Sequence, residues 1–151
     1  MNESSYTTLL HLLRASAAIH ERLDGGLSAV HGLSLQEMLM LMFLDSEPRH
    51  RLSRVELARR MHVSASTVTR QLVPLEKRGI VTRQPDERDA RLTYAVLTDA
   101  GEELVNDARQ SLRNTSKQFF QDRWRDREIE TLATLLGRLT VNLPGSLVPD
   151  D

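Results

Sequence analysis

The fold is decided by residues 52–101, which read LSRVELARRMHVSASTVTRQLVPLEKRGIVTRQPDERDARLTYAVLTDAG. In the middle of this stretch, Ser64–Lys77 has the periodicity of an amphipathic helix. One face is an apolar stripe of Val68, Leu72 and Leu75. The opposite face carries Ser66, Arg70, Val73 and Lys77 and is free of acids as far as Leu75. Because hydroxyl and guanidinium groups bond phosphate oxygens and base edges, this helix is expected to enter the major groove of DNA.

A second short helix is predicted just before this one. Ser53 and Glu56 have the spacing of a capping box, so a helix should begin near Arg54. Its apolar side is formed by Val55, Leu57, Ala58 and Met61. His62-Val63 is a tight link, and Ser64 can cap the following helix. Two short helices joined by such a turn form a helix-turn-helix.

The residues that follow predict a two-stranded ribbon. Gly79 suits the position after a helix end, and Ile80–Arg83 is rich in β-branched residues. A polar loop, Pro85–Arg91, separates this strand from a second one over Leu92–Leu97, and Thr98 is suited to cap another helix. The predicted fold is therefore mainly α with a small β-hairpin wing, a winged helix-turn-helix.

At this level of detail the chain resembles the MarR (multiple-antibiotic-resistance regulator) family. The resemblance is carried by Leu57-Ala58, by Val63-Ser64-x-Ser66-Thr67-Val68-Thr69-Arg70, by Leu75-Glu76-Lys77-Arg78-Gly79-Ile80-Val81, and most specifically by Asp86-x-Arg88-Asp89-x-Arg91 followed by Leu97-Thr98-x-x-Gly101. It covers nearly the whole chain. It implies a homodimeric transcriptional regulator, often released from DNA by a small ligand, and we expect a repressor.

The residues expected to contact DNA combine this resemblance with the chemistry of the side chains. They are Arg54, Ser64, Ser66, Thr67, Thr69, Arg70, Lys77, Arg88 and Arg91. The resemblance implies that Ser66, Thr67 and Arg70 face the major groove. It also implies that Arg88 and Arg91 lie in the wing near the minor groove, where arginine is favoured. Arg91 is preferred for that groove, and Arg88 is not excluded. Pro74 departs from the family pattern, because it removes a backbone donor and can kink the recognition helix.

Charge is distributed unevenly along the chain, whose overall net charge is −1. Residues 49–91 carry 11 Lys or Arg and 5 Asp or Glu, a net of +6, whereas the remaining residues carry 9 and 16, a net of −7. A basic segment on an acidic scaffold is typical of directed phosphate binding rather than general adhesion.

Composition bounds the function classes. A length of 151 residues suits one domain, and no run is long enough for a transmembrane helix. Cysteine is absent, which excludes disulfides, thiol redox sensing and cysteine–zinc sites. The five histidines have no metal-ligand spacing, so no metal and no other cofactor is expected. No catalytic motif is present, and the expected location is the cytoplasm of a prokaryote.

Long helices are predicted on both sides of the winged region. The first spans Ser4–Leu23 and ends at Gly25-Gly26, with a turn at Val30–Gly32. Ser34 and Glu37 form a second capping box, for a buried helix from Leu35 that contains the apolar run Met38–Leu44. After it come a charged loop over Asp45–Arg51, a helix over Asp99–Arg123, and a last helix capped by Asp126 with the stripe Ile129, Leu132, Leu135, Leu136 and Leu139.

The flanking helices are too apolar to remain exposed, which predicts a two-fold dimer. The expected organisation is one domain, 1–151, with a dimerisation region at 4–24 and 99–143 and a DNA-binding region at 34–98. Two recognition helices roughly 34–36 Å apart would read a near-palindromic operator. The candidate contacts for a small-molecule effector are His11, Arg14, Met38 and Met42, although core packing is the simpler role for the methionines. The expected partners are therefore double-stranded DNA and a second copy of the chain, with a small-molecule effector as a further candidate and no membrane.

Two other functions remain open. A winged-helix module could use the same face to bind an acidic protein, without sequence preference on DNA. A small helical enzyme is the third possibility, and an unexpected cofactor in the purified protein would favour it.

Overall fold

The computed structural model describes residues 3–148, which form six helices and three short strands. The helices are α1 (Glu3–His31), α2 (Leu35–Asp45), α3 (Arg54–Met61), α4 (Ala65–Lys77), α5 (Asp99–Phe119) and α6 (Asp126–Thr140). The strands are β1 (Arg51–Ser53), β2 (Val81–Pro85) and β3 (Thr93–Leu97). The predicted winged helix-turn-helix is confirmed, with α3 and α4 followed by the hairpin of β2 and β3.

The sheet has three antiparallel strands in the order β1-β3-β2, one strand more than the predicted ribbon. Leu52 pairs with Ala95, and Arg83 pairs with Ala95 from the other side. The expected loop over Asp45–Arg51 therefore ends in β1. Because β1 has only three residues, with Leu52 as its one buried side chain, it is too short for its alternation to be recognised in the sequence.

The second helix is the centre of the core, as predicted from its apolar run. The capping box is present, since Ser34 Oγ accepts from the Glu37 N–H at 3.0 Å and Glu37 Oε2 accepts from the Ser34 N–H at 2.9 Å. The side chains of α2 that are buried are Leu35, Met38, Met40, Leu41, Phe43 and Leu44. They pack with the apolar stripes of α3 and α4 and with the inner face of the sheet.

The predicted end of the first helix at Gly25-Gly26 is wrong, since α1 continues to His31. The glycines disfavour a helix interior by roughly 1 kcal/mol each, but packing on both sides of them offsets that cost. Leu27 is buried in the core, and Asp24 Oδ1 accepts from the Leu35 N–H at 2.7 Å at the start of α2. The helix ends at His31, and the following residue, Gly32, has a φ of +64°. The predicted turn at Val30–Gly32 therefore begins later than expected.

Two boundaries in the C-terminal part differ from prediction. The fifth helix ends at Phe119 rather than Arg123, and Asp122 has a φ of +62° in the reversal that follows. Phe120 and Trp124 pack edge to face there, with ring centroids 5.5 Å apart. The cap of α6 is Arg125, one residue before the predicted Asp126, and its N–H donates to Glu128 Oε2 at 2.8 Å.

The outer helices expose much apolar surface. The N-terminal half of α1 leaves Tyr6, Leu9, Leu10 and Leu13 between 43% and 59% exposed, and no residue of α6 is buried. Among residues 3–148, no single helix is long and apolar enough to span a membrane. Together, α1 and α2 pass that test of length and composition, but they are bent by 78° relative to each other.

Candidate nucleic-acid interface

The turn between α3 and α4 is built without glycine. His62 takes the left-handed conformation that closes α3, with φ of 54° and ψ of 39°. Ser64 then caps α4, because its Oγ accepts from the Thr67 N–H at 3.2 Å. Loss of such a cap costs a helix about 1 kcal/mol. The two residues together fix the angle at which α4 leaves α3.

The recognition helix α4 has the two faces that were predicted. Val68, Leu72 and Leu75 are buried in the core, whereas Ser66, Arg70 and Lys77 are exposed and Val73 is 36% exposed. Pro74 lies on the exposed side, and the helix continues through it to Lys77. The polar face is therefore held outward by the burial of the opposite stripe.

The hydroxyl groups at the start of α4 form a connected cluster. Ser64 Oγ lies 3.0 Å from Ser66 Oγ and 2.9 Å from Thr67 Oγ1. Arg70 Nη2 donates to Thr67 Oγ1 at 3.4 Å, within one helical turn of the same surface. These groups offer donors and acceptors in one exposed patch, which is what contact with base edges and phosphate requires.

Thr69 and Arg54 connect the two helices at the edge of this patch. Thr69 Oγ1 donates to the Ala65 carbonyl at 3.1 Å, and Arg54 Nη1 donates to Thr69 Oγ1 at 3.5 Å. Both side chains are only partly exposed. The structure therefore brings Arg54, from the first turn of α3, beside the outer face of α4.

Other basic residues of the segment are held by acids. Glu56 accepts from Arg59 and Arg60, and these hydrogen bonds hold the pKa of its carboxyl below its usual range. Arg60 also pairs with Glu47 at 2.8 Å. In contrast, Arg70 and Lys77 have no ion pair within the described part of the chain. Both side chains therefore present an unpaired positive charge on the recognition face.

The wing is braced by a network centred on Asp86. Asp86 Oδ2 accepts from the Tyr94 hydroxyl at 2.7 Å, and Oδ1 accepts from the N–H groups of Arg88 and Asp89, each at 2.8 Å. These bonds, the tyrosine's first, lower the pKa of the Asp86 carboxyl. The same contact raises the pKa of the Tyr94 hydroxyl. Arg51 packs over the Tyr94 ring at 4.4 Å from its centroid. Contacts from Tyr94 on β3 and Arg51 on β1 therefore hold the wing loop in one conformation.

The two wing arginines differ in their surroundings. Arg91 is 91% exposed along its side chain and pairs with Asp89 at 3.2 Å. Arg88 is also exposed, and its guanidinium has no ion pair among residues 3–148. Both project from the tip of the hairpin beyond the last pair of β2 and β3, Pro85 with Thr93.

Sequence reasoning missed three residues that shape this surface. Arg51 and Tyr94 brace the wing from β1 and β3, which only the sheet pairing brings together. Arg83 pairs with Glu76 at 2.7 Å, and this contact raises the pKa of Arg83 and ties β2 to α4. The sequence contains no local spacing that links these partners.

The four candidate effector contacts are not gathered in one place. His11 and Arg14 are exposed on α1, and Met38 is fully buried in the core. Met42 lines a cavity of about 540 Å³ between α2, α3, α5 and the segment 145–148. Arg109 and Arg113 also line it, and Arg109 pairs with Asp45 at 2.8 Å.

The histidines occupy separate positions. His50 is the one near two acids, since its Nδ1 lies 3.8 Å from Glu102 Oε2, and the possible ligand atoms of Asp45, His50 and Glu102 all lie within 4.8 Å of one another. Asp45 is already neutralised by Arg109. His31 is bonded to Ser111 at 2.7 Å, and His62 is in the turn.

Comparison with known proteins gives a consistent set of relatives. A model of the MarR family matches residues 33–93. The HTH-type transcriptional repressor YetL of Bacillus subtilis is 31% identical over 116 residues, which cover 75% of this chain and 70% of the relative. The transcriptional regulator AdcR of Streptococcus pneumoniae is 33% identical over 88 residues, which cover 58% of each protein. The chain thus spans little more than half of AdcR, and 48% of the B. subtilis regulator YdgJ.

Solved structures share the fold. A MarR family transcriptional regulator from Streptomyces coelicolor, in complex with DNA, superposes with a TM-score of 0.80 at 24% identity, covering 95% of this chain and 94% of that chain. The transcriptional regulator BldR from Sulfolobus solfataricus superposes with a TM-score of 0.77 at 24% identity, covering 91% of this chain and 99% of that chain.

Proposed function

Because the chain belongs to the MarR family, we propose that it is a sequence-specific DNA-binding transcriptional regulator. It acts as a homodimer on a near-palindromic operator, as a repressor that a small ligand releases. The observation that carries the proposal is the exposed hydroxyl and guanidinium face of α4, opposite a stripe that is fully buried. A helix with that face, beside a braced basic wing, fits the major groove.

The proposed contacts divide by groove. Ser66, Thr67 and Arg70 read base edges in the major groove, with Thr69 at the edge of that set. Lys77, Arg54 and the capping residue Ser64 meet phosphates. Arg91 enters the minor groove, since its side chain is 91% exposed and extends from the wing tip, and Arg88 contacts the neighbouring backbone.

The homodimer is supported by the apolar surface that the single chain leaves open. Leu135, Leu136 and Leu139 of α6 are between 37% and 65% exposed, and the first half of α1 is exposed over similar residues. Soluble proteins rarely leave such contiguous faces uncovered. We place the interface in the proposed dimerisation region, 4–24 and 99–143.

The remaining assignments follow from the regulator proposal. The site of action is the cytoplasm, where the DNA is, and we propose no catalytic activity, since the relatives reported above are regulators. For the effector, Met42 is the best supported of the four candidates, because it lines a cavity whose volume of about 540 Å³ suits a small molecule.

Two substitutions on α4 test the proposal on a duplex enriched from a random pool. Arg70→Ala should weaken binding to that duplex by about 1–3 kcal/mol and weaken binding to a scrambled duplex much less. Lys77→Ala is the matched control, and it should weaken both equally and reduce the salt slope by about one. Equal losses with Arg70→Ala would argue against base reading. Absence of any sequence preference in the unmodified protein would favour the protein-binding module.

A further inference from the structure

Arg78, one residue beyond α4, is directed toward the dimerisation helix α1. Its Nη1 donates to the Gly32 carbonyl at 2.9 Å, and its Nη2 donates to the His31 carbonyl at 3.1 Å. Carbonyls at a helix C-terminus lack helical partners and carry partial negative charge, so a cation is stabilised there. The positive φ of Gly32, +64°, ends α1 at this point.

Each end of this link is anchored. On the α1 side, His31 Nε2 lies 2.7 Å from Ser111 Oγ on α5, which ties the end of α1 to the second dimerisation helix. On the α4 side, the Arg78 N–H donates to the Pro74 carbonyl at 3.1 Å. Arg78 therefore joins the last turn of the recognition helix to the end of α1 through a single planar side chain.

We infer that Arg78 is a positioning residue that sets the spacing of the two half-sites the dimer accepts, an inference that rests on the proposed function. In a two-fold dimer, the distance between recognition helices depends on how each winged region is oriented against the dimerisation helices. A guanidinium that binds two carbonyls resists rotation about that contact, which a single-point ammonium does not. Loss of Arg78 lets the winged region pivot, so spacings other than the native one are tolerated.

The experiment uses the full chain and three duplexes that share the same selected half-sites. Their centre-to-centre spacing is the native one, one base pair shorter and one base pair longer. Arg78→Ala should reduce the preference for the native spacing about two- to fivefold, the range expected for a cation at a helix C-terminus. Binding to a duplex with one half-site should be unchanged.

Three further variants separate geometry from charge. Lys77→Ala, at the neighbouring exposed position, should weaken binding to all three duplexes by the same factor and leave the spacing preference unchanged. Arg78→Lys keeps the charge and should still lose most of the preference, and Arg78→Gln provides a second neutral variant if the alanine variant does not fold. Equal weakening on every duplex by Arg78→Ala, or full recovery by Arg78→Lys, would overturn the inference. An unmodified protein with no sequence preference would contradict the proposed function itself.

Discussion

At the level of single residues, Asp86 explains why acids stand among the wing arginines. Its carboxylate accepts from Tyr94 and from two backbone N–H groups of the loop, so the acid shapes the loop rather than cancelling its charge. The sequence itself shows that acids and arginines share this loop. It could not predict Tyr94 as the brace, because antiparallel pairing of β2 and β3 creates that contact.

Tyr94→Phe should therefore raise the pKa of the Asp86 carboxyl toward its ordinary value of 3.8. The ionised carboxylate stabilises the wing above the ordinary pKa, and this contribution is lost as pH falls through the lowered pKa of the folded state. In the variant, the pH-dependent loss should be smaller and should be complete at a higher pH, because the folded-state pKa lies closer to the ordinary value. NMR titration of the Asp86 carboxyl measures the shift, and Tyr6→Phe on exposed α1 is the control. An unchanged Asp86 pKa in Tyr94→Phe would show that the hydroxyl bond is absent in solution.

At the level of elements, the start of α5 depends on Gly101. A Cβ at Gly101 would lie 2.2 Å from the Ile80 carbonyl oxygen and 2.6 Å from Leu97 Cδ1. Thr98 holds the same junction, since its hydroxyl donates to the Gly79 carbonyl at 2.6 Å while Oγ1 accepts from the Gly101 N–H at 3.1 Å. The helix thus approaches the end of α4 and the sheet more closely than any side chain allows.

Gly101→Ala should lower the free energy of unfolding by about 1–3 kcal/mol, because the backbone must shift to accept the methyl group. Gly25→Ala is the matched control, since nothing lies within 4 Å of a Cβ there. It should raise the free energy of unfolding by roughly 0.5–1 kcal/mol, through helix propensity. Urea denaturation measures both. Equal effects at the two glycines would contradict the close approach at Gly101.

The elements also show how far sequence alone could reach. The serine-to-glutamate spacings at Ser34 and Ser53 and the stripe of Val68, Leu72 and Leu75 are local signals, and they predicted α2, α3 and α4 within a residue or two. The capping box is complete at Ser34, whereas at Ser53 only the N-cap bond forms, because the Glu56 carboxylate binds Arg59 and Arg60. Two features depend on tertiary packing, and local propensity predicted neither. They are the continuation of α1 beyond Gly25-Gly26 and the formation of strand β1. The early end of α5 was not predicted either, because no glycine or proline marks it in the sequence; the chain reverses there around the contact of Phe120 with Trp124.

At the scale of the whole molecule, the exposed apolar faces of α1 and α6 predict the assembly. Leu139→Asp should make the free energy of dimer association less favourable by about 1.5–3 kcal/mol for each side chain that the interface buries. The dissociation constant should therefore rise about tenfold or more. Val55→Asp, on α3 and outside the proposed interface, should leave the dimer intact although Val55 is 70% exposed, comparable to 65% for Leu139. Sedimentation velocity distinguishes the outcomes. A dimer that survives Leu139→Asp would place the interface elsewhere.

The measurement that tests the central claim most directly is selection of duplexes from a random pool, read by sequencing. A dimer with one recognition helix in each half-site should enrich a near-palindromic sequence whose half-sites lie about 10–10.5 base pairs apart, centre to centre. That result would also supply the operator on which ligand release can be screened. No enrichment at moderate salt would contradict base reading by Ser66, Thr67 and Arg70.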